Sequence, residues 1–272
     1  MKPLLSICCT AYNQENYIVQ TLEGFLMQKT TFPIEIIVHD DASTDRTADI
    51  IKEYAKKDNR FVTILQSENQ YSKNVKPWAN FVFPKAQGKY IALCEGDDYW
   101  TDPMKLQRQV DFLENNSDYA LCAHHVKIYI EKSKEFRPDS TNVPETTTNA
   151  YLANRCYLHT NTVVLRNNFV LENWFSYLPV GDWPLFLIQS QNGLIMKLKD
   201  VMSVYRVHDK GVWSGINRYK SIETTLKTIE PLIKYNVLPE ATTQVLIKKY
   251  RKYKFKLFKE GIRVKIRRFF NT

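Results

Sequence analysis

Leu93-Cys94-Glu95-Gly96-Asp97-Asp98-Tyr99-Trp100 is the stretch of this sequence with the plainest chemical content. An apolar run from Tyr90 to Cys94 stops at three acidic residues around one glycine. Gly96 permits a tight backbone path, so the carboxylates of Glu95, Asp97 and Asp98 can converge on one point. Unpaired, they would repel one another. An all-oxygen ligand set suits a hard divalent cation, Mg²⁺ or Mn²⁺, that completes its shell with water and substrate phosphates. A second reading stays open at this point: an exposed acidic turn capping a helix that starts near Pro103.

The elements around this turn read as alternating strand and helix from residue 4 to 115. Leu4 to Thr10, Ile34 to Val38, Phe61 to Leu65 and Tyr90 to Cys94 are short apolar runs, as expected of strands buried on both faces. Between them lie helical spacings. One has Asn16 as its cap and Ile18, Leu22, Phe25 and Leu26 on one face. The next is capped by Ser43 or Thr44, with Ala48, Ile51 and Tyr54 inward. This alternation predicts an α/β fold with a mainly parallel sheet flanked by helices. Polar turns at 10–13, 40–45 and 95–98 would then share one sheet edge and can serve one ligand, since ligands of open α/β sheets bind outside the carboxyl ends of strands.

After Pro103 the spacing of Leu106, Val110 and Leu113 predicts a further helix, and Ala120 to Ile130 a long strand. Lys132 to Asn149, rich in Ser, Thr, Asn and Pro, reads as a mobile loop over the site. Thr162 to Leu165 reads as a short strand, and Pro179-Val180-Gly181-Asp182-Trp183-Pro184 as a turn feeding a helix through Gln189. Ile195 to Leu198 and Met202 to Val207 read as two closing strands, and from Ile222 the chain is helical with a break at Pro239.

Composition bounds the rest. The 272 residues, 44% hydrophobic and 25% charged, suffice for a sizeable core. Met1-Lys2-Pro3 leads straight into a strand, so no signal peptide is expected, nor any membrane-spanning stretch. Cys8, Cys9, Cys94, Cys122 and Cys156 are odd in number and mostly within apolar runs, which suits reduced core residues of a cytosolic protein. Residues 247–272 carry eleven Lys and Arg against Glu260 alone, whereas the remainder holds 27 basic and 28 acidic side chains. The basicity therefore belongs to the tail, which argues against a body that binds nucleic acid broadly and leaves such binding only to the tail. Leu246, Tyr250, Tyr253 and Leu257 recur at helical spacing, Phe258, Ile262, Ile266 and Phe269 extend a similar stripe, and Lys and Arg fill the flanks. An interfacial helix on anionic lipid has this pattern; so does a helix packed on the body with a solvated basic face.

Taken in order, these motifs resemble family 2 glycosyltransferases, inverting enzymes of the GT-A fold that use nucleotide-diphosphate sugars. Ser6-Ile7-Cys8-Cys9-Thr10-Ala11-Tyr12-Asn13 is similar to their opening strand and nucleotide-contacting turn. Asp40-Asp41-Ala42-Ser43-Thr44-Asp45 resembles their Asp-Asp-Gly-Ser-x-Asp element, with Ala42 where glycine is usual. Glu95-Gly96-Asp97-Asp98 resembles their DxD segment, with Glu95 where the first Asp is usual. Gly181-Asp182-Trp183 resembles their catalytic-base segment, and Tyr205-Arg206-Val207-His208 with Ser214 a late diphosphate- or metal-contacting segment.

The resemblance implies a role for each position. Thr10, Tyr12, Asn13, Asp40, Asp41, Glu95, Asp97 and Arg206 would bind the donor, one of Asp40 and Asp41 accepting a hydrogen bond from uracil N3. Asp97, Asp98 and His208 would hold Mg²⁺ or Mn²⁺, and Asp182 would be the general base. Lys73 and Lys76 are further candidates for phosphate contact, and 140–162, with His159 and Thr160, for the acceptor side. The implied domains are a GT-A catalytic domain over 1–220, split into a nucleotide-sugar half (1–115) and an acceptor half (116–220), and C-terminal helices over 221–272. The implied partners are a UDP-sugar and a glycan or lipid-linked acceptor, with an anionic membrane surface for 247–272 and no nucleic acid. The expected place is cytoplasmic, peripheral on the inner face of the cell membrane. The rivals are a nucleotidyltransferase of related fold, disfavoured because no Gly-rich, Arg-containing loop follows the first strand, and an inert nucleotide- or glycan-binding scaffold.

Overall fold

The computed structural model describes residues 2–139, 141–209, 211 and 216–270, with side chains as far as Glu260. Ten strands are present among them: β1 (Leu5–Ala11), β2 (Ile34–Asp40), β3 (Phe61–Leu65), β4 (Tyr90–Glu95), β5 (Tyr99–Trp100), β6 (Tyr119–Ile130), β7 (Glu135–Pro138), β8 (Thr146–Thr147), β9 (Val164–Arg166) and β10 (Leu194–Val207). The helices are α1 (Ile18–Leu26), α2 (Thr47–Lys57), α3 (Lys105–Asn115), α4 (Asn149–Asn154), α5 (Asp182–Gln189), α6 (Arg218–Lys234) and α7 (Glu240–Phe270).

All strands join one sheet in the order β3-β2-β1-β4-β9-β6-β10-β5, with β7 on β6 and β8 on β10. β3, β2, β1 and β4 are mutually parallel. β9 is antiparallel to both β4 and β6, which makes β6 and its parallel neighbour β10 run with β4. The carboxyl ends of β1, β2, β4, β6 and β10 therefore lie along one edge.

The apolar runs alternate faces as strand geometry requires. Ile7, Cys9, Ile36, Val38, Ala92 and Cys94 join one core cluster with Leu22 and Phe25 of α1, Ile51 of α2 and Leu106 of α3. Cys8, Ile37, Ile91 and Leu93 face the other cluster, built with Phe186 of α5, Ile229 of α6 and Leu246 of α7. A sheet covered on both sides is why these strands read as unbroken apolar runs. The same sharing means that α6 and α7 complete the core of the body.

Several local expectations need correction. Asn16, Ser43 and Thr44 cap no helix: α1 and α2 begin after Tyr17 and Arg46 without a side-chain cap. Instead Asp45 Oδ1 accepts the backbone N–H of Thr47 at 2.9 Å. The 132–149 segment is tied into the sheet at two places, since β7 pairs with β6 and β8 with β10. A buried ion pair pins it further, Lys197 Nζ lying 2.6 Å from Asp139 Oδ2 with both side chains 2% exposed. The two closing strands are one, β10, with register shifts between Leu198 and Ser203. All five cysteines are free, and four of them are buried as expected; Cys156 is exposed.

Candidate active site

β4 carries the acidic turn to the carboxyl edge, where Glu95 stands in register with Thr10. The Gly96 N–H donates to Thr10 O at 3.0 Å. A Cβ on Gly96 would approach the Ala11 Cβ and the Ile18 Cδ1 to 3.0 Å and collide with the Gln14 side chain, so crowding by these three side chains favours glycine here. The Thr21 hydroxyl of α1 lies 2.9 Å from Gly96 O and 2.6 Å from Asp98 O, fixing the turn from behind.

Asp98 and Arg206 brace the turn from the β10 side. Asp98 is 2% exposed, and its Oδ1 accepts the Arg206 N–H at 2.7 Å. Burial, together with Asp97 and Glu95, pushes its carboxyl well above the usual range. The Arg206 guanidinium donates to Asp97 O and, at 2.6 Å, to Gln20 Oε1. It also lies 4.7 Å from the Tyr17 ring and 5.0 Å from the Tyr99 ring. These contacts lie within the protein: Arg206 and Asp98, expected at the diphosphate and the metal, brace the turn that presents Asp97.

Asp97 faces a different partner. Its Oδ2 is 2.9 Å from His208 Nε2, just past the end of β10. His208 is buried, its ring 4.8 Å from that of Tyr17, and its Nδ1 has no hydrogen-bond partner among the described residues. The Tyr17 hydroxyl donates to Glu131 at 2.9 Å, which anchors the ring. Among the described residues no group of three or more His, Cys, Asp and Glu side chains is arranged to hold a metal unaided. Asp97 and His208 still fit an ion of the Mg²⁺ class, which keeps several waters and takes phosphate oxygens beside one or two protein ligands.

Glu95 and Asp182 complete the acidic centre. Burial, then Asp97 and Asp182, raise Glu95 to about 8, opposed in part by a hydrogen bond from the Thr160 hydroxyl. Asp182 opens α5, where its Oδ1 accepts the Trp183 N–H at 2.7 Å. A carboxylate in a helix's first turn is favoured by the helix dipole. Burial still raises its pKa, against the Trp183 N–H and the same Thr160 hydroxyl. Thr160 sits in a short 3₁₀ turn (Thr160–Thr162) held from beneath. There the Trp100 Nε1–H donates to Asn161 O at 2.9 Å and the Gln109 amide to Thr162 O at 2.9 Å. Tyr17, Gln20, Thr21 and Gln109 carry no motif, and only their helical spacing marks them in the sequence.

The neighbouring edge gathers the remaining positions. Asn13 takes the left-handed conformation, φ 52°; its N–H donates to Ser43 Oγ at 2.9 Å and its Oδ1 accepts the Thr44 N–H at 2.8 Å. Asp40 Oδ2 accepts the Ser43 N–H at 2.9 Å, while Asp41 accepts the N–H groups of Gln70 at 2.8 Å and Tyr71 at 3.0 Å. Both aspartates are buried, and each retains free lone pairs. Ala42, directly after them, has φ 60°, the region that favours glycine. Tyr12 is 46% exposed beyond the end of β1, the pose of a ring open to a ligand. Lys76 lies 3.4 Å from Pro179 O and 4.7 Å from the Tyr71 ring, and Lys73 pairs with Glu68, so neither cation is directed at the acidic turn by these contacts. Ser214 lies outside the described residues.

Comparison with known proteins agrees with this fold. Residues 6–175 match the family model described as Glycosyl transferase family 2. An uncharacterized protein of Mycobacterium tuberculosis is 41% identical over 215 residues, covering 77% of this chain; the chain spans only 60% of the length of that relative. The UDP-Glc:alpha-D-GlcNAc-diphosphoundecaprenol beta-1,3-glucosyltransferase WfaP of Escherichia coli is 33% identical over 80% of this chain and 82% of its own. Among solved structures, S. aureus TarS in complex with UDP-GlcNAc superposes with a TM-score of 0.67 at 20% identity, covering 94% of this chain and 73% of the other, which is a likeness of fold.

Proposed function

The chain belongs to glycosyl transferase family 2, and from that premise we propose an inverting glycosyltransferase that moves a sugar from a UDP-sugar to a hydroxyl of a glycan or lipid-linked acceptor. The observation that carries the reading is the meeting of Asp97 with His208 beside Glu95 and Asp182. Residues from 95 to 208 are drawn to one sheet edge, and the donor-contacting turns of β1 and β2 lie next to it. The choice of UDP is supported by the names of two similar proteins, TarS with UDP-GlcNAc and WfaP with UDP-Glc. WfaP's diphosphoundecaprenol acceptor supports a lipid-linked one at the cytoplasmic membrane face.

In this reading Thr10, Tyr12 and Asn13 border the base and ribose, and Asp40 or Asp41 accepts the uracil N3–H. Asp97, Asp98 and His208 would hold a divalent ion, with Arg206 fixing the turn that presents the two aspartates. Such an ion, when bound, neutralises charge developing on the leaving diphosphate. Asp182 accepts the acceptor's hydroxyl proton as that oxygen bonds to sugar C1. The C1–O bond to the diphosphate breaks with its electron pair leaving on the β-phosphate oxygen, and attack from the opposite face inverts C1. The raised pKa of Asp182 strengthens it as a base, and the Trp183 N–H orients it.

Thermal-shift binding of UDP with Mn²⁺ tests the donor site. Wild type should be stabilised by UDP only when metal is present, and Asp97→Ala should lose that shift while remaining folded. UDP stabilisation that ignores both metal and Asp97 would refute the assignment.

A further inference from the structure

Helix α7 carries two apolar stripes, and they face opposite ways. Leu246, Tyr250, Tyr253 and Leu257 recur every three or four residues and are the more shielded positions; Leu246 is fully buried in the core, and Tyr250 packs against it. Lys249 pins this face, donating to Ala153 O and Asn154 O at 3.1 Å each and lying 4.5 Å from the Trp183 ring. At about 100° per residue, Phe255 and Phe258 fall on average about 140° around the helix from that stripe. They are 59% and 66% exposed. Apolar residues in the sequence recur from Phe258 at the same spacing, at Ile262, Ile266 and Phe269.

The surroundings of these two rings decide what covers them. Lys248, Arg251, Lys252 and Lys259 are exposed on the same outward side, with Lys259 Nζ 4.6 Å from the Phe255 ring. The acid of this region, Glu260, lies 3.7 Å from Arg218 Nε and is only partly exposed. Two aromatic side chains standing clear of the body inside a cationic field would meet like charge against a second copy of the same face. An anionic bilayer surface offers apolar depth for the rings and opposite charge for the cations.

We propose that the outward face of α7, centred on Phe255 and Phe258 and flanked by Arg251, Lys252 and Lys259, docks the protein on an anionic lipid bilayer. The inward stripe keeps the body attached, so docking needs no unfolding of the helix from the core. This surface rests on the reading of a lipid-linked acceptor above, because it holds the catalytic body where such acceptors are found.

The test is flotation of the full chain with vesicles of phosphatidylcholine alone and of equal parts phosphatidylcholine and phosphatidylglycerol. Two variants accompany wild type: Phe255→Ser/Phe258→Ser and Arg251→Glu/Lys252→Glu/Lys259→Glu. Wild type should float with the anionic vesicles and far less with the neutral ones. Each cation lost near an anionic leaflet weakens partition about fivefold, so the triple variant should lose on the order of a hundredfold or more. The double Phe variant should lose binding as well. Both should keep wild-type UDP stabilisation, because every substituted residue is exposed on α7 and none belongs to the proposed donor site.

Absence of wild-type flotation, equal binding to both vesicle types, or a Phe variant that floats like wild type would overturn the proposal. So would a concentration-dependent dimer that the Phe variant abolishes while wild type ignores lipid, or duplex DNA binding that matches vesicle binding and is blind to Phe255 and Phe258. Failure of wild type to respond to UDP would count against the donor site instead and would leave the flotation result intact.

Discussion

Lys105 is the most costly side chain in the core, and replacing it makes a quantitative test of the packing. It lies in α3, fully buried, with Nζ 2.9 Å from Gln109 Oε1 and 4.1 Å from the Trp100 ring centre. No ion pair to it is found among the described residues. Burial pulls its pKa from 10.5 down to about 7. Below about 7 the ammonium is protonated in both states and the folded protein bears the full desolvation penalty. Between about 7 and 10.5 the unfolded chain keeps a proton that the folded one has released, so stability rises with pH across that window. At 1.36 kcal/mol per unit the rise is at most about 5 kcal/mol, and the cation–π contact with Trp100 reduces it to about 3.

Lys105→Met keeps the chain length and removes the charge, leaving Gln109 Oε1 without its donor at about 1–3 kcal/mol. The variant should therefore be up to about 2 kcal/mol more stable than wild type at pH 6.5, and about 1–3 kcal/mol less stable at pH 10. Urea denaturation at a series of pH values reads both numbers, and the difference between the two proteins cancels the other titrating groups. A wild-type minus variant difference that is flat from pH 7 to 10 would refute the claim that an unpaired buried lysine is held there.

Two further substitutions probe positions read from the structure. Ala42→Gly should stabilise the protein by about 0.5–1 kcal/mol in the same urea assay, since a left-handed φ of 60° strains an L side chain by more than glycine loses in entropy; a loss of stability would contradict the turn geometry. Burial would raise Asp139, but the hydrogen bonds from Lys197 and Thr141 outweigh it and hold the carboxyl at about 2. That stabilisation is present above the usual carboxylate range and is lost as pH falls toward 2. Lys197→Met should cost about 3–5 kcal/mol at neutral pH by leaving a buried charge unpaired, and acid unfolding monitored by circular dichroism should move to higher pH. An unchanged acid transition would show that the pair does not anchor the segment between β6 and α4.

What the sequence made legible follows from how its signals are buried. The strands β1, β2 and β4 are covered on both faces, so each reads as a bare apolar run, and the parallel arrangement then puts the polar turns on one edge. β7 was hidden because all four of its residues are exposed on the rim of β6, which leaves no apolar alternation to see. Lys199 and Asp200 split β10 in the sequence, while in the fold they sit among its register shifts. In α7 both apolar sets have helical spacing, and only the packing of Leu246 and the exposure of Phe255 and Phe258 show which side faces the body.

The candidate site divides in the same way. Asp97 and Asp182 stand out by type and by family pattern. The brace of Asp98 and Arg206, the ring of Tyr17 beside His208 and the hydroxyl of Thr160 depend on contacts between residues far apart in the chain, and no local spacing encodes them.

The most direct measurement is transfer by Asp182→Asn set beside its binding of UDP. The amide keeps the shape and the Trp183 N–H contact but cannot take the acceptor proton. Sugar transfer to the acceptor, followed as UDP release, should fall by about 10²–10⁴, with UDP-induced stabilisation unchanged. Turnover within a few-fold of wild type in a folded variant that binds UDP would contradict Asp182 as the base.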